Sequence, residues 1–306
     1  LNKSKKKGEV IENCDIEKDR ELFKIYKCPI PNCSLGIPVR YHDAKILYQE
    51  IKPDFLEFHL SYRDIDYPVE KIKTLIKEVP SNLPHTFHAP DFYSNDLIFD
   101  PLSDNLEIKK KSILEFENFL KHVNKLLENS LISTFEKIPV ITSFSCATLK
   151  HFYDEEKKKY LYNELSNFLI SMGNKFPKFK ILPQTLPVNA WYLGGRRIVN
   201  IFADPREILN FCENNDFQIC LDTAHTIMSS NFYDLKPNKY IEKLLPYSEH
   251  VHLVDAKGDS DEGLNFGEGD LDLELIANLI SDKGGISYIP EIWQGHHNLG
   301  EGFKNA

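Results

Sequence analysis

The sequence predicts an α/β protein built as a (β/α)₈ TIM barrel, and three observations predict it. Short apolar, β-rich runs alternate with longer helical patterns, as in βα units around a parallel sheet. Eight such runs are present, enough to close a barrel. The length, 306 residues, fits one barrel. In order, the runs are SLGIPV at 34–39, DFLEFHLS at 54–61, HTFHAP at 85–90, PVITSF at 139–144, KILPQT at 180–185, FQICLDT at 217–223, HVHLVDA at 250–256 and ISYIPEI at 286–292. The clearest helical patterns lie between them, at 105–128 and 153–174, where Leu, Ile and Phe recur at helical spacing among Lys and Glu. After the eighth run only GHHNLGEGFKNA remains, so the last helix is expected to be about one turn long.

Residues 1–33 are charged and then carry the Pro-rich stretch Lys27 to Pro31, which resists regular structure, so they are read as an N-terminal extension or interdomain linker before a barrel over 34–306. The chain begins with Leu rather than Met, which suggests a processed chain or the later part of a longer polypeptide.

Bulk properties narrow the partners. A net charge of −9 and a pI near 5.7 argue against affinity built on neutralising phosphate backbones, so no nucleic-acid partner is expected. No run approaches 18 apolar residues, and the basic N-terminus lacks an apolar segment behind it, so a cytoplasmic protein without a membrane partner is expected. The six cysteines (Cys14, Cys28, Cys33, Cys146, Cys212, Cys220) are scattered and read as buried or incidental thiols.

In a parallel barrel the C-terminal ends of the strands face one mouth, where polar side chains signal chemistry rather than packing. Read to their ends, the runs supply Glu57 and His59, His88, Gln184, Asp222 with His225 one turn on, His252 with Asp255, and Glu291. Asp222, His252 and Glu291 give two carboxylates and an imidazole, a donor set for one divalent ion in an open site, and Gln184 adds an amide oxygen. For His59 alone, an imidazole satisfied by its neighbours is the better reading; for the three-residue set, metal binding is.

FLEFHLS, FHAP, ICLDTAHT, HVHLVDAKG, FGEGDLDLELIANLI and IPEIWQGH resemble the strand-end motifs of the sugar phosphate isomerase/epimerase superfamily, which includes xylose isomerase, tagatose epimerase and AP endonuclease. The ordered series DTAH, VHLVD, GEGDLD and PE is its most specific part. The resemblance implies a xylose-isomerase-like barrel with Asp222, His252 and Glu291 as ligands of one divalent ion (Mn, Mg, Co or Zn), Glu291 and His225 as catalytic groups, and a small sugar or sugar acid as substrate. Gln184 departs from it. The superfamily's isomerases carry Glu at this strand end, and an amide neither carries a proton at ordinary pH nor adds a charge, so weaker metal binding is expected and a two-base epimerisation is in doubt.

SLGIPVRYHD and FLEFHLSYRDIDYP further resemble the barrel domain appended to some sialic-acid-synthase-like proteins, which makes Arg40, His42, Ser61 and Arg63 candidate substrate contacts. The WYLGGRR loop offers Trp191, Arg196 and Arg197 to a sugar and its anionic group, with Lys257, His59 and His88 as further contacts. Three readings follow: a metal-dependent sugar isomerase or epimerase, for which a dehydrating lyase would use the same parts; a sugar-binding barrel without turnover; and an AP endonuclease. The last is opposed by the acidic charge and by Asp261 and Gly263 standing where that class shows Asp-x-His.

Overall fold

The structure is a computed structural model and describes residues 30–133 and 136–305. Residues 1–29 of the expected extension, with Cys14 and Cys28, lie outside the described residues. Eight parallel strands run in the order β6-β7-β8-β1-β2-β3-β4-β5: β1 (Ser34–Val39), β2 (Phe55–His59), β3 (His85–His88), β4 (Ile138–Thr142), β5 (Phe179–Pro183), β6 (Ile219–Asp222), β7 (Ser248–Leu253) and β8 (Ser287–Pro290). A parallel bridge between Gln184 and Cys220 joins the two edges, β5 and β6, and brings the sheet nearly to closure. Closure leaves both faces covered, which is why β4 and β6 read as continuous apolar runs rather than alternating ones.

Helices form the outer layer. The helix α4 (Leu106–Glu128) turns Phe116, Phe119, Leu120, Val123 and Leu126 inward at helical spacing, and the Asn105 side chain caps it by accepting from the Glu107 and Ile108 amides. Preceding it in the chain are α1 (Ala44–Ile51), α2 (Tyr62–Ile65) and α3 (Val69–Leu75). Following it are α5 (Glu155–Lys175), α6 (Pro205–Asn215), α7 (Thr223–Phe232), α8 (Pro237–Leu244), α9 (Leu273–Lys283) and α10 (His297–Lys304). Phe99, Phe116, Phe144 and Phe168 pack ring against ring at tilted and edge-on angles and tie α4 and α5 to the barrel wall. The expected short last helix is broken as well: Asn298, Leu299 and Gly300 are left-handed, and Gly300 lies so close to Leu47 and Ile51 of α1 that a Cβ there would stand 2.8 Å from Ile51 Cδ1.

Close approach also fixes the first strand pair. Gly36 faces Phe55 across β1 and β2, and a Cβ at residue 36 would sit 2.3 Å from the Phe55 ring. Beyond the strand ends, short antiparallel hairpins stand on the rim at Phe92–Ile98, Asn189–Ile198 and Asp255–Leu264. No described helix is long and apolar enough to cross a membrane.

His122 of α4 bonds the Tyr41 hydroxyl at 2.9 Å, and burial, with the Lys125 charge, pushes its pKa down from 6.5 to about 4. The folded state therefore resists a proton that the unfolded chain accepts. The contribution is intact above pH 6.5 and declines as pH falls toward 4. Wild type should lose about 2 kcal/mol more stability between pH 7.5 and pH 5 than a His122→Gln variant, measured by urea unfolding. Parallel pH profiles for the two proteins would show that His122 accepts its proton without penalty.

Candidate functional site

The barrel interior is polar where such interiors are ordinarily aliphatic. Parallel register aligns Glu57 with Thr86 and His59 with His88 across β2 and β3, and Asp222 with His252 across β6 and β7. Glu57 is fully buried at the centre. Its Oε1 lies 2.8 Å from His59 Nε2 and 2.9 Å from His252 Nε2; its Oε2 lies 2.8 Å from His250 Nε2 and accepts the Thr86 hydroxyl at 2.8 Å. The His250 and His252 contacts are at hydrogen-bonding distance but off the ideal line. Burial would raise the Glu57 carboxyl, yet the charges of His250 and His252 hold it well below the usual range.

Above Glu57, His252 Nδ1 is the point of convergence. Glu291 Oε2 stands 2.7 Å from it, Gln184 Nε2 3.1 Å and Asp222 Oδ2 3.9 Å, and Gln184 Nε2 is 3.0 Å from Asp222 Oδ2. One donor atom each from Asp222, His252 and Glu291 falls within 4.8 Å of the others. Three carboxylates, those of Glu57, Asp222 and Glu291, thus surround one buried ring and demand a positive charge. Burial opposes charge on His252, but the Glu291 and Glu57 carboxylates lift its pKa well above 6.5, and His252, with His59 and His88, holds Glu291 well below the carboxylate range.

A divalent ion fits these residues. His88 Nδ1 lies 2.9 Å from the Ala89 carbonyl oxygen, and its Nε2 lies 2.9 Å from Gln184 Oε1. In the structure the amide oxygen faces His88 and its NH₂ donates to Asp222 Oδ2 at 3.0 Å; turned by 180°, the same amide would present its oxygen beside Asp222, His252 and Glu291, where a cation would be a partner for all four groups. Gln184, Asp222, His252 and Glu291 are the residues that would hold the ion.

His225, at the start of α7, sits between two carboxylates, with Nδ1 3.1 Å from Asp222 Oδ2 and Nε2 3.6 Å from Glu262 Oε2. Burial would lower its pKa, but Asp222 and Glu262 override it and lift the value to about 10, so the ring is an imidazolium at neutral pH. Asp222 also caps α7 through the His225 amide at 2.9 Å. This polar floor opens into a cavity of about 680 Å³.

Of the expected contacts, Arg40, His59, Ser61, His88, Trp191 and Arg196 line the cavity. Trp191 and Arg196 face each other across the 189–198 hairpin. Arg197, Lys257 and Arg63 are not among its lining residues, and His42 borders a neighbouring cleft with Trp293. Sequence reasoning places Glu57 near a strand end without a role and misses Thr86, His250 and Glu262. Inward-facing alternation from His252 to His250 and from His88 to Thr86 is the signal for two of these. None marks Glu262, which a hairpin folds back over the mouth.

A family profile described as xylose isomerase-like TIM barrel matches residues 48–305. The chain belongs to that family. Curated protein sequences give no match. Among solved structures, this family member is similar to a D-tagatose 3-epimerase-like protein at 17% identity, over 89% of this chain and 96% of that one, with a TM-score of 0.56. It is similar to endonuclease IV from Thermus thermophilus at 15% identity, 89% and 96% coverage and a TM-score of 0.56. It is also similar to the IOLI protein with a bound zinc atom, at 13% identity, 89% and 95% coverage and a TM-score of 0.54. At these identities the likeness is one of fold.

Asp255, expected among the chemical residues, has a structural place in this barrel. Its carboxylate accepts the backbone N–H groups of Ala256, Gly267, Gly269 and Leu271 at 2.8–3.0 Å and gathers the loop after β7. A Cβ at Gly269 would stand 2.3 Å from Asp255 Oδ1, so only glycine admits this wrap. Asp255→Asn turns an NH₂ toward two amide donors and should lower stability by about 3 kcal/mol in urea unfolding, with metal affinity of the folded protein unchanged. A loss below about 1 kcal/mol would show that the loop holds without this carboxylate.

Proposed function

We propose that this chain is a metal-dependent isomerase or epimerase acting on a sugar, sugar phosphate or sugar acid. The observation that carries the reading is the convergence of Asp222, His252 and Glu291 donors within 4.8 Å on the floor of an open cavity. The likeness to an epimerase-like protein and to a zinc-bound barrel supports it. A bound Mn²⁺, Mg²⁺, Co²⁺ or Zn²⁺ ion supplies Lewis acidity, which makes a C–H bond beside a coordinated oxygen more acidic.

The chain's own residues then have distinct tasks. Glu291, kept ionised by its histidine neighbours, takes the proton. His225 donates a hydrogen bond to a substrate oxygen. His59, His88, Trp191 and Arg196 hold the sugar, and Arg40 and Arg196 meet an anionic group on it. Gln184 carries no proton, so Glu291 both removes and returns it. One base on one face suits isomerisation between adjacent carbons better than inversion, which needs carriers on both faces.

Gly263 argues against the AP endonuclease reading. Its φ is +73°, and a Cβ there would lie 2.8 Å from Trp293 Cβ, so the hairpin has no room for an imidazole at that position.

Incubation with Mn²⁺ and a panel of ketoses, aldoses, their phosphates and sugar acids in D₂O should show exchange of one substrate C–H. Glu291→Gln should abolish it, while His59→Ala retains more, because only Glu291 is both ligand and proton carrier. Similar residual rates in both variants would contradict these roles. Tight sugar binding without exchange would favour a binding barrel.

Gln184→Glu adds a charge to the donor set and should tighten Mn²⁺ about tenfold in calorimetric titration, equivalent to about 1.4 kcal/mol. Equal affinities would place Gln184 outside the ligand set.

A further inference from the structure

We infer that Glu57 is a positioning residue that keeps the His252 proton on Nε2, so that an ion taking the place of the Nδ1 proton meets the Nδ1 lone pair beside Asp222, Glu291 and Gln184, and that holds His59 beside Glu291 through the same oxygen. The inference rests on the proposed metal site and concerns how that site is built from below.

A histidine binds an ion through one ring nitrogen only when the other keeps the proton, and an acceptor behind the ring decides which nitrogen that is. In this barrel the facing oxygen is Glu57 Oε1, 2.9 Å from His252 Nε2, at hydrogen-bonding distance though off the ideal line. The Cys220 sulfur also lies near the ring, but sulfur is a weak acceptor beside a carboxylate. The opposite nitrogen, Nδ1, faces Glu291 at 2.7 Å and Gln184 at 3.1 Å. The same Oε1 lies 2.8 Å from His59 Nε2, which turns His59 Nδ1 toward Glu291 Oε1 at 3.7 Å. A single oxygen thus sets both rings that flank Glu291. The second oxygen takes Thr86 and His250 and keeps the carboxylate from turning.

Glu57 is fully buried and does not line the cavity, so its action runs through His252 and His59. Replacing it with glutamine removes the charge and forces an NH₂ onto one oxygen position. If that position is Oε1, His252 Nε2 becomes the acceptor, and its proton moves to Nδ1, where the ion would bind.

Two measurements test this. With ¹⁵N-labelled histidine and Zn²⁺ as a diamagnetic probe, the wild-type His252 ring should show Nε2 protonated and Nδ1 bound to metal. In Mn²⁺ titration calorimetry, Glu57→Gln should bind about 10- to 100-fold more weakly than wild type. Thr86→Val, which removes a bond to the other oxygen, should lower the melting temperature but change affinity less than about threefold, since it leaves the acceptor behind His252 in place. Should Glu57→Gln fail to fold, the wild-type ring assignment still decides. Zn²⁺ on Nε2, or affinity that merely follows melting temperature across both variants, would overturn the inference and leave the metal site standing. Absence of any ion binding by wild type would overturn both.

Discussion

A carboxylate buried in the middle of a barrel is tolerable only if its charge is answered, and Glu57 is answered from three strands. Thr86 of β3, His59 of its own β2, and His250 and His252 of β7 all reach it within 2.9 Å. Desolvating an ion of this size costs several kcal/mol, and removing one member of such a set leaves the remainder uncompensated. Strands β2, β3 and β7 are therefore held in one relative register by charge as well as by backbone hydrogen bonds. The ring set by this pairing, His252, is the one around which Gln184, Asp222 and Glu291 gather.

Polarity in this barrel grows toward the mouth. The clustered side chains of Ile141, Leu182 and Cys220 fill part of the interior in the usual apolar manner. Glu57 and His250 lie beside Cys220, and above them the ring of His59, His88, Gln184, Asp222, His252 and Glu291 carries almost no apolar surface. A fold that seals its outer layer with Phe-rich helices can support such an interior, because the hydrophobic stabilisation comes from the strand–helix interface and not from the barrel axis. Within the site each polar member contacts at least one other.

Much of this was legible in the sequence, and the limits have physical causes. Apolar runs alternating with helical patterns gave the eight strands, and the polar residues near six of their ends gave the convergence of Gln184, Asp222, His252 and Glu291, because strand ends in a parallel barrel share one side. Glu57 and His250 lie two positions further in, where a polar residue in an apolar run has no partner visible along the chain; only strand order brings β2 beside β3 and places both opposite β7. Asp255 looked like a site residue because it closes the same strand as His252, but its carboxylate turns back onto the loop amides. Lys257 and Arg197 were expected at the mouth from proximity in sequence, yet hairpin alternation sends Arg196 into the cavity and leaves Arg197 out of its lining.

The rim holds one more consequence. The chain has two tryptophans, Trp191 on the 189–198 hairpin and Trp293 just after β8, and they are 72% and 71% exposed. Trp191 lines the main cavity, and Trp293 lines the adjoining cleft together with His59 and Glu291. Indole emission responds to the polarity and quenching groups around the ring, and here no indole is buried in the core to dilute the signal. The protein carries its own optical gauge, in which the whole tryptophan fluorescence of the chain comes from the entrance to its site.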